Sequence, residues 1–198
     1  MKQGFSKRVF TTRLFFKYLG FLIGNALKIL RVYTQKENKQ LVGKIVLVTD
    51  AVNGCIYCSW LDAKLAVKEG IGEQEITNLL KLQYHEEVSE EERGALLFAQ
   101  HYAQSNGNPD PEMVQRLFER YGYEHAEEIV IAIKAVTFGN LYFNTWRAVI
   151  SRFRGDPAPN SNVVFELLYF LLNTPIILPF VIVRALDKNA LGRGIVEE

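Results

Sequence analysis

Apolar residues along this chain recur at three- and four-residue intervals, the spacing that gathers them on one side of an α-helix. No convincing run alternates residue by residue as a half-buried strand would, so the pattern predicts an all-α fold. Ile45-Val46-Leu47-Val48 is β-prone in isolation but lies inside a longer helical pattern. The expected helices run from about Thr11 to Tyr33, Lys39 to Val52, Cys55 to Glu69, Glu73 to Tyr84, Ser89 to Ser105, Glu112 to Tyr121 and His125 to Phe153, the last with a break near Gly139. Local chemistry sets the boundaries. Asn53-Gly54 marks a break, Gly70 fits a helix stop, and Ser89 with Glu92 three residues later matches a capping box. Asn106 to Pro111 reads as a turn, and Gly155-Asp156-Pro157-Ala158-Pro159 closes the compact region.

Both ends differ from this middle. Residues 1–38 form a basic amphipathic segment, 39–159 the helical core, and 160–198 an apolar extension. From Met1 to Lys36 there are eight basic residues and no acidic one, a charge bias attracted to anionic surfaces or to acidic residues elsewhere on the protein. Its uncharged stretch, Tyr18 to Leu27, is too short to span a bilayer, which takes about 20 residues. Basic residues before an apolar stretch, with Gly24-Asn25-Ala26 behind it, leave a signal peptide as a lesser reading beside an amphipathic helix that packs on the domain or lies on a membrane. Val163 to Val183 is 21 residues with one charge, Glu166. Pro175 and Pro179 are expected to kink or end a helix there. Burial against the body or a partner subunit ranks ahead of contact with a membrane surface, and that ahead of a true span.

Composition adds little until the cysteines are reached. The 198 residues suffice for one sizeable core, and 23 basic against 22 acidic residues give no reason to expect nucleic acid. The Glu86-Glu87 and Glu90-Glu91-Glu92 cluster reads as a solvated acidic face. There are two cysteines, Cys55 and Cys58, with Ile56 and Tyr57 between them. Thiols this close cannot staple distant loops, and His85, His101 and His125 are not spaced to complete a zinc site with them, so no metal is assigned. A redox dithiol is the better reading. The thiolate is the nucleophile, and Cys55, after Asn53-Gly54, stands at a helix start where free N–H groups favour negative charge. Cys58 follows one turn later, placed to close a small disulfide. Such chemistry needs the sulfurs side by side and open to a substrate.

Val52-Asn53-Gly54-Cys55-Ile56-Tyr57-Cys58, followed by Ala63-Lys64-Leu65-Ala66 and Gly70-Ile71-Gly72-Glu73-Gln74-Glu75-Ile76, resembles the signature of alkylhydroperoxidase D-like proteins of the carboxymuconolactone decarboxylase-like superfamily. The likeness covers about Gln40 to Pro159, and the basic head and apolar tail lie outside it. It implies an all-helical alkylhydroperoxidase D-like domain, usually homo-oligomeric. It also implies a dithiol cycling against a hydroperoxide or disulfide substrate, with electrons from an external dithiol donor.

Two departures matter. Where peroxidase-active members carry a Glu twelve residues before the first cysteine and a His four after the second, this chain has Gly43 and Asp62. Asp62 is one turn past Cys58 on the same face, where a carboxylate raises the thiol pKa when ionised and shuttles protons when neutral. Cys55, Cys58 and Asp62 are therefore the candidate catalytic residues, and Tyr57, Asn140 and Asn144 the candidate substrate contacts, each with packing or core hydrogen bonding as its plainer alternative. Trp60 reads as core or interface, and His125 as a neutral structural residue. No Gly-rich nucleotide fingerprint is visible, so no cofactor is expected. The reading is a thiol-dependent oxidoreductase, peroxidase-like or disulfide-reductase-like, cytoplasmic with peripheral membrane contact left open. The alternative is a non-catalytic helical interaction module, and a lactone decarboxylase-type enzyme ranks last.

Overall fold

The computed structural model describes residues 5–35, 38–85, 88–159 and 162–187. Those residues are all-helical: α1 (Thr12–Gly24), α2 (Ala26–Thr34), α3 (Lys39–Asn53), α4 (Ile56–Lys68), α5 (Glu73–Leu80), α6 (Glu90–Gln104), α7 (Pro111–Phe153) and α8 (Val163–Leu186). Glu86 and Glu87, two of the five residues of the expected acidic face, lie outside the described residues.

α3 is the central element because its apolar residues leave no polar face. Ile45, Leu47 and Val48 are fully buried, and α2, α4, α5, α6 and α7 all pack around it. A helix hydrophobic all round belongs inside a bundle. Its one buried lysine, Lys44, reaches Glu75 on α5 and Glu92 on α6, each at 2.7 Å. A second, aromatic-rich cluster joins α1, α7 and α8 through Phe10, Tyr18, Leu141, Trp146, Tyr169 and Ile177. Packing therefore crosses both ends of the 39–159 core: Val32 enters from the basic segment, and Tyr169 and Ile177 from the apolar one.

Several boundaries fall where local chemistry places them. Ser89 and Glu92 form the full capping box, and Gly54 ends α3 in the left-handed region at φ 63°. Other boundaries differ from expectation. The first segment is two helices, because Asn25 interrupts it with its side chain donating to Phe21 O at 2.9 Å. α5 stops at Leu80 rather than Tyr84, where Leu82 turns to positive φ. Gly139 is ordinary helix. The one break inside α7 is at Gly122 (φ 70°, ψ 173°), between the two helices the sequence predicts. His125 accordingly lies just after that kink, exposed. Pro175 and Pro179 do not end α8. They stand four apart on its exposed side, so the carbonyls they leave without an N–H partner face outward instead of into the protein.

α8 is pinned at both ends. The carboxylate of Glu166, fully buried, meets Arg152 Nε of α7 at 2.7 Å. At the other end Asp187 Oδ2 accepts from Trp60 Nε1 at 2.6 Å and pairs with Lys64 Nζ at 2.5 Å, both on α4. Between these anchors the helix buries only the side carrying Tyr169 and Ile177, while Leu168, Leu171, Leu172 and Ile176 stand well exposed. It is the one described helix long and apolar enough to cross a membrane.

Candidate functional site

The α3–α4 turn builds the site. Gly54 takes up the left-handed conformation, reversing the chain so that Cys55 becomes the N-cap of α4. Cys55 N–H donates back to Asp50 O at 3.3 Å, and Cys55 Sγ accepts from Cys58 N–H at 3.3 Å. The two sulfurs are bonded at 2.14 Å, with their Cα atoms 5.3 Å apart. A thiolate at Cys55 would thus sit on a free backbone N–H at the positive end of α4. Position follows the sequence reading; exposure does not. Cys55 is 0% exposed and Cys58 only 5%. Of the two, Cys58 alone offers an edge to a partner.

The N-terminal segment contributes a charge that no local pattern places here. Lys7 lies against Gly54, so that a Cβ at residue 54 would stand 2.6 Å from its Nζ. Burial lowers the Lys7 pKa, with Arg147 nearby adding to the effect. Gly54 is favoured by its positive φ, and a side chain there would also have to push the end of the Lys7 chain aside.

On the opposite side of the turn is a buried polar cluster. Asp50 of α3 is fully buried. Its Oδ1 accepts from Asn140 Nδ2 at 2.5 Å, and Asn140 Oδ1 accepts from Asn53 Nδ2 at 2.8 Å. Asn144 Nδ2 donates to Asn53 O at 2.9 Å. Asn140 and Asn144 are thus wholly buried and occupied in holding α7 against the turn, instead of lining an opening. Asp62 comes to Asp50 from α4. Burial raises the Asp50 carboxyl well above the usual range, and the neighbouring Asp62 adds to it against a smaller opposing effect of Asn140. Asp62 is pushed up to about 6, chiefly by burial and also by the Glu69 charge, while the hydrogen bond with Asp50 pulls the other way.

Asp62 also reaches outward. With Tyr33, Lys39, Gly43 and Glu69 it lines a small cleft between α2, α3 and α4. A Cβ on Gly43 would lie 3.2 Å from Glu69 Oε2 and 3.3 Å from Ile71 Cδ1. The space beside Gly43 is bounded by the carboxylate of Glu69, the C-cap of α4, and by Ile71, so a side chain at 43 needs these neighbours to give by a few tenths of an ångström.

Tyr57, between the cysteines, turns away from this cluster. Its ring packs on Phe143 at 5.4 Å and Trp146 at 6.4 Å, with Arg184 of α8 over its face at 5.5 Å. Trp60 is engaged with Asp187, and Lys64 lies over its ring at 5.1 Å. His101 accepts from the backbone N–H of Asp110 at 3.0 Å, far from the turn in sequence and structural role. Of the sequence candidates, the structure gathers Cys55, Cys58, Asp62, Asn140 and Asn144 around one turn and assigns Tyr57 to aromatic packing. Asp50, Asn53 and Lys7 were missed. A lone carboxylate inside the apolar run Val46 to Val52, one turn before Asn53, was the available signal for the first two.

Among the described residues no group of three or more His, Cys, Asp or Glu is placed to hold a metal ion. Comparison of the chain with family models, curated proteins and solved structures finds no match in any of the three.

Proposed function

We propose that this protein is a thiol-dependent oxidoreductase that cycles the Cys55–Cys58 pair between disulfide and dithiol, and that it belongs with the alkylhydroperoxidase D-like proteins its core sequence resembles. The observation that carries the reading is a disulfide at the N-cap of α4, with a pair of carboxyl groups nearby, Asp50 buried and Asp62 partly exposed. Perturbed titratable groups around a nucleophile are what redox chemistry near neutrality uses.

Cys55 is 0% and Cys58 5% exposed, so reduction requires the turn to open; a thiolate of an external dithiol then attacks Cys58 Sγ. The Cys55–Cys58 bond breaks and Cys55 leaves with the electron pair as a thiolate, held by the α4 N-terminus and the Lys7 charge. The donor's second thiolate then attacks its own sulfur in the mixed disulfide, releasing Cys58 and leaving the donor oxidised. Two electrons and two protons are taken up in all. The reverse step oxidises the pair against a substrate disulfide. Against a hydroperoxide, a thiolate attacks the terminal oxygen and the O–O bond breaks, releasing the alcohol and leaving a sulfenic acid. The second thiol displaces water from it to restore the disulfide.

The test is redox equilibration of the purified protein with a dithiol, followed by maleimide trapping and intact-mass measurement. Two thiols that appear and disappear together support the proposal. A pair that stays bonded under strong reductant, or thiols that never re-form the bond, sinks it.

The second reading is a helical interaction module at a membrane surface. It is favoured by the near-complete burial of both sulfurs and by the outward apolar side of α8. Together with the basic N-terminal helices, that side suits anionic lipid. The two readings are compatible if the oxidoreductase works in the cytoplasm at a bilayer surface, as a homo-oligomer or alone. Flotation with anionic vesicles is expected to carry the full chain upward, and a Leu168→Asp, Leu172→Asp double variant to stay behind. Full chain and variant both remaining soluble ends the membrane placement.

A further inference from the structure

The geometry points to Asp50 and Asp62 as one proton-sharing carboxyl pair that serves as the proton store of the Cys55–Cys58 couple, exchanging with solvent through the cleft under Tyr33. The inference rests on the redox reading, but its structural half can be tested apart from it.

Two acidic side chains meeting in the interior cannot both be ionised without a cation, and among the described residues no cation pairs with Asp50. Asp50 Oδ1 is satisfied by Asn140, while Asp50 Oδ2, fully buried, has no donor among the described residues. A single proton between Asp50 and Asp62 supplies that missing hydrogen bond. Sharing it is the arrangement two close carboxyls adopt when one site is dry and the other is not. Here Asp50 is sealed and Asp62 is partly exposed.

Every neighbour of the pair fits that division. From α7, Asn140 fixes Asp50 with a neutral amide. From α2 comes the Tyr33 hydroxyl, 3.4 Å from Ala132 O, whose own pKa is raised by burial and by the charges of Asp62 and Asp50, so it remains a phenol. From α4, Glu69 adds negative charge to Asp62, and Lys39 of α3 is the cation lining the same cleft. The cleft leads outward from Asp62, and Asp62 lies one helical turn from Cys58, on the face where i and i+4 side chains meet. When Cys58 leaves the mixed disulfide as a thiolate, the pair delivers one proton to it and refills from the cleft. On oxidation the proton returns. Below about pH 6 Asp62 is protonated. Above that it carries a negative charge beside Cys58, so the proton supply falls as pH rises through this range.

The experiment is the pH profile of reduction by dithiothreitol for the wild type, Asp62→Asn and Asp50→Asn, followed by maleimide mass shift, with infrared spectra of each. Asp62→Asn is expected to lose the inflection near 6 and to slow reduction below it on the order of 10²-fold. Asp50→Asn, an amide in the shape of the protonated acid, should move the inflection. The wild type at neutral pH should show a protonated-carboxyl band that Asp50→Asn lacks. An unchanged inflection in both variants overturns the proposal, as does the absence of that band from the wild type, which needs no variant to fold. A disulfide that cannot be reduced in any form, with the band present, removes the redox reading and reduces the pair to a structural one, which also overturns the store.

Discussion

Cys58→Ser is expected to lose turnover altogether, on the order of 10³-fold or more, as when a covalent nucleophile is removed, and to trap nothing. Cys55→Ser is expected to lose turnover as fully but to accumulate a mixed disulfide at Cys58. The two variants differ because the sulfurs are not equivalent. Cys58 holds the exposed edge, and Cys55 is sealed against the turn with its Sγ on the Cys58 N–H. Nucleophilic attack needs a line of approach, whereas departure needs a stabilised anion, and on the proposed chemistry these fall to different cysteines. Incubation with a small-molecule disulfide, whose second half leaves as a thiol, followed by non-reducing intact-mass measurement and peptide mass mapping, reads the adduct. Equal trapping in both variants, or an adduct only at Cys55, refutes this division of labour.

Arg152→Ala is expected to cost about 3–5 kcal/mol, because it strips the guanidinium from a carboxylate that cannot reach water. For a chain of this size that is a fall in Tm of roughly 6–20 °C. Glu166→Gln, which keeps an acceptor of the same shape, should lose less. Replacing both partners by apolar residues, Arg152→Met with Glu166→Leu, should restore most of the loss, since the penalty comes from the orphaned charge and not from the absent attraction. Urea titration of the four forms measures the differences. An Arg152→Ala loss no greater than that of Glu166→Gln shows that Glu166 finds water or another partner.

Much of this was legible in the chain. The periodicity carried the helices, Gly54 and Ser89 carried their boundaries, and Cys55-Ile56-Tyr57-Cys58 carried the site. Side-chain spacing is a local property, and each of these is local. The rest depended on contacts between residues far apart in sequence. Asn140 reads equally as a pocket residue or a core amide until Asp50 is seen ninety positions away at 2.5 Å. Lys7 looked like one more cation in a basic head, and only the path of the N-terminal segment brings it against Gly54, the residue before Cys55. Asp62 was visible as the group one turn from Cys58, but its partner was not. Burial of both sulfurs was hidden for the same reason, since exposure depends on long-range packing around the turn. The prolines of α8 misled because a proline's effect depends on which way its freed carbonyl points, and sequence does not say which side of a helix meets solvent.

The rivets at the two tips of α8 limit how the protein can meet a lipid layer. Pushing that rod end-on through hydrocarbon would tear Glu166 from Arg152 at one tip and Asp187 from Trp60 and Lys64 at the other, or drag α7 and α4 in behind it. Broadside contact asks for neither. The helix would then rest flat, like a keel, with its leucines down and the sulfur-bearing turn carried at a fixed height above the headgroups.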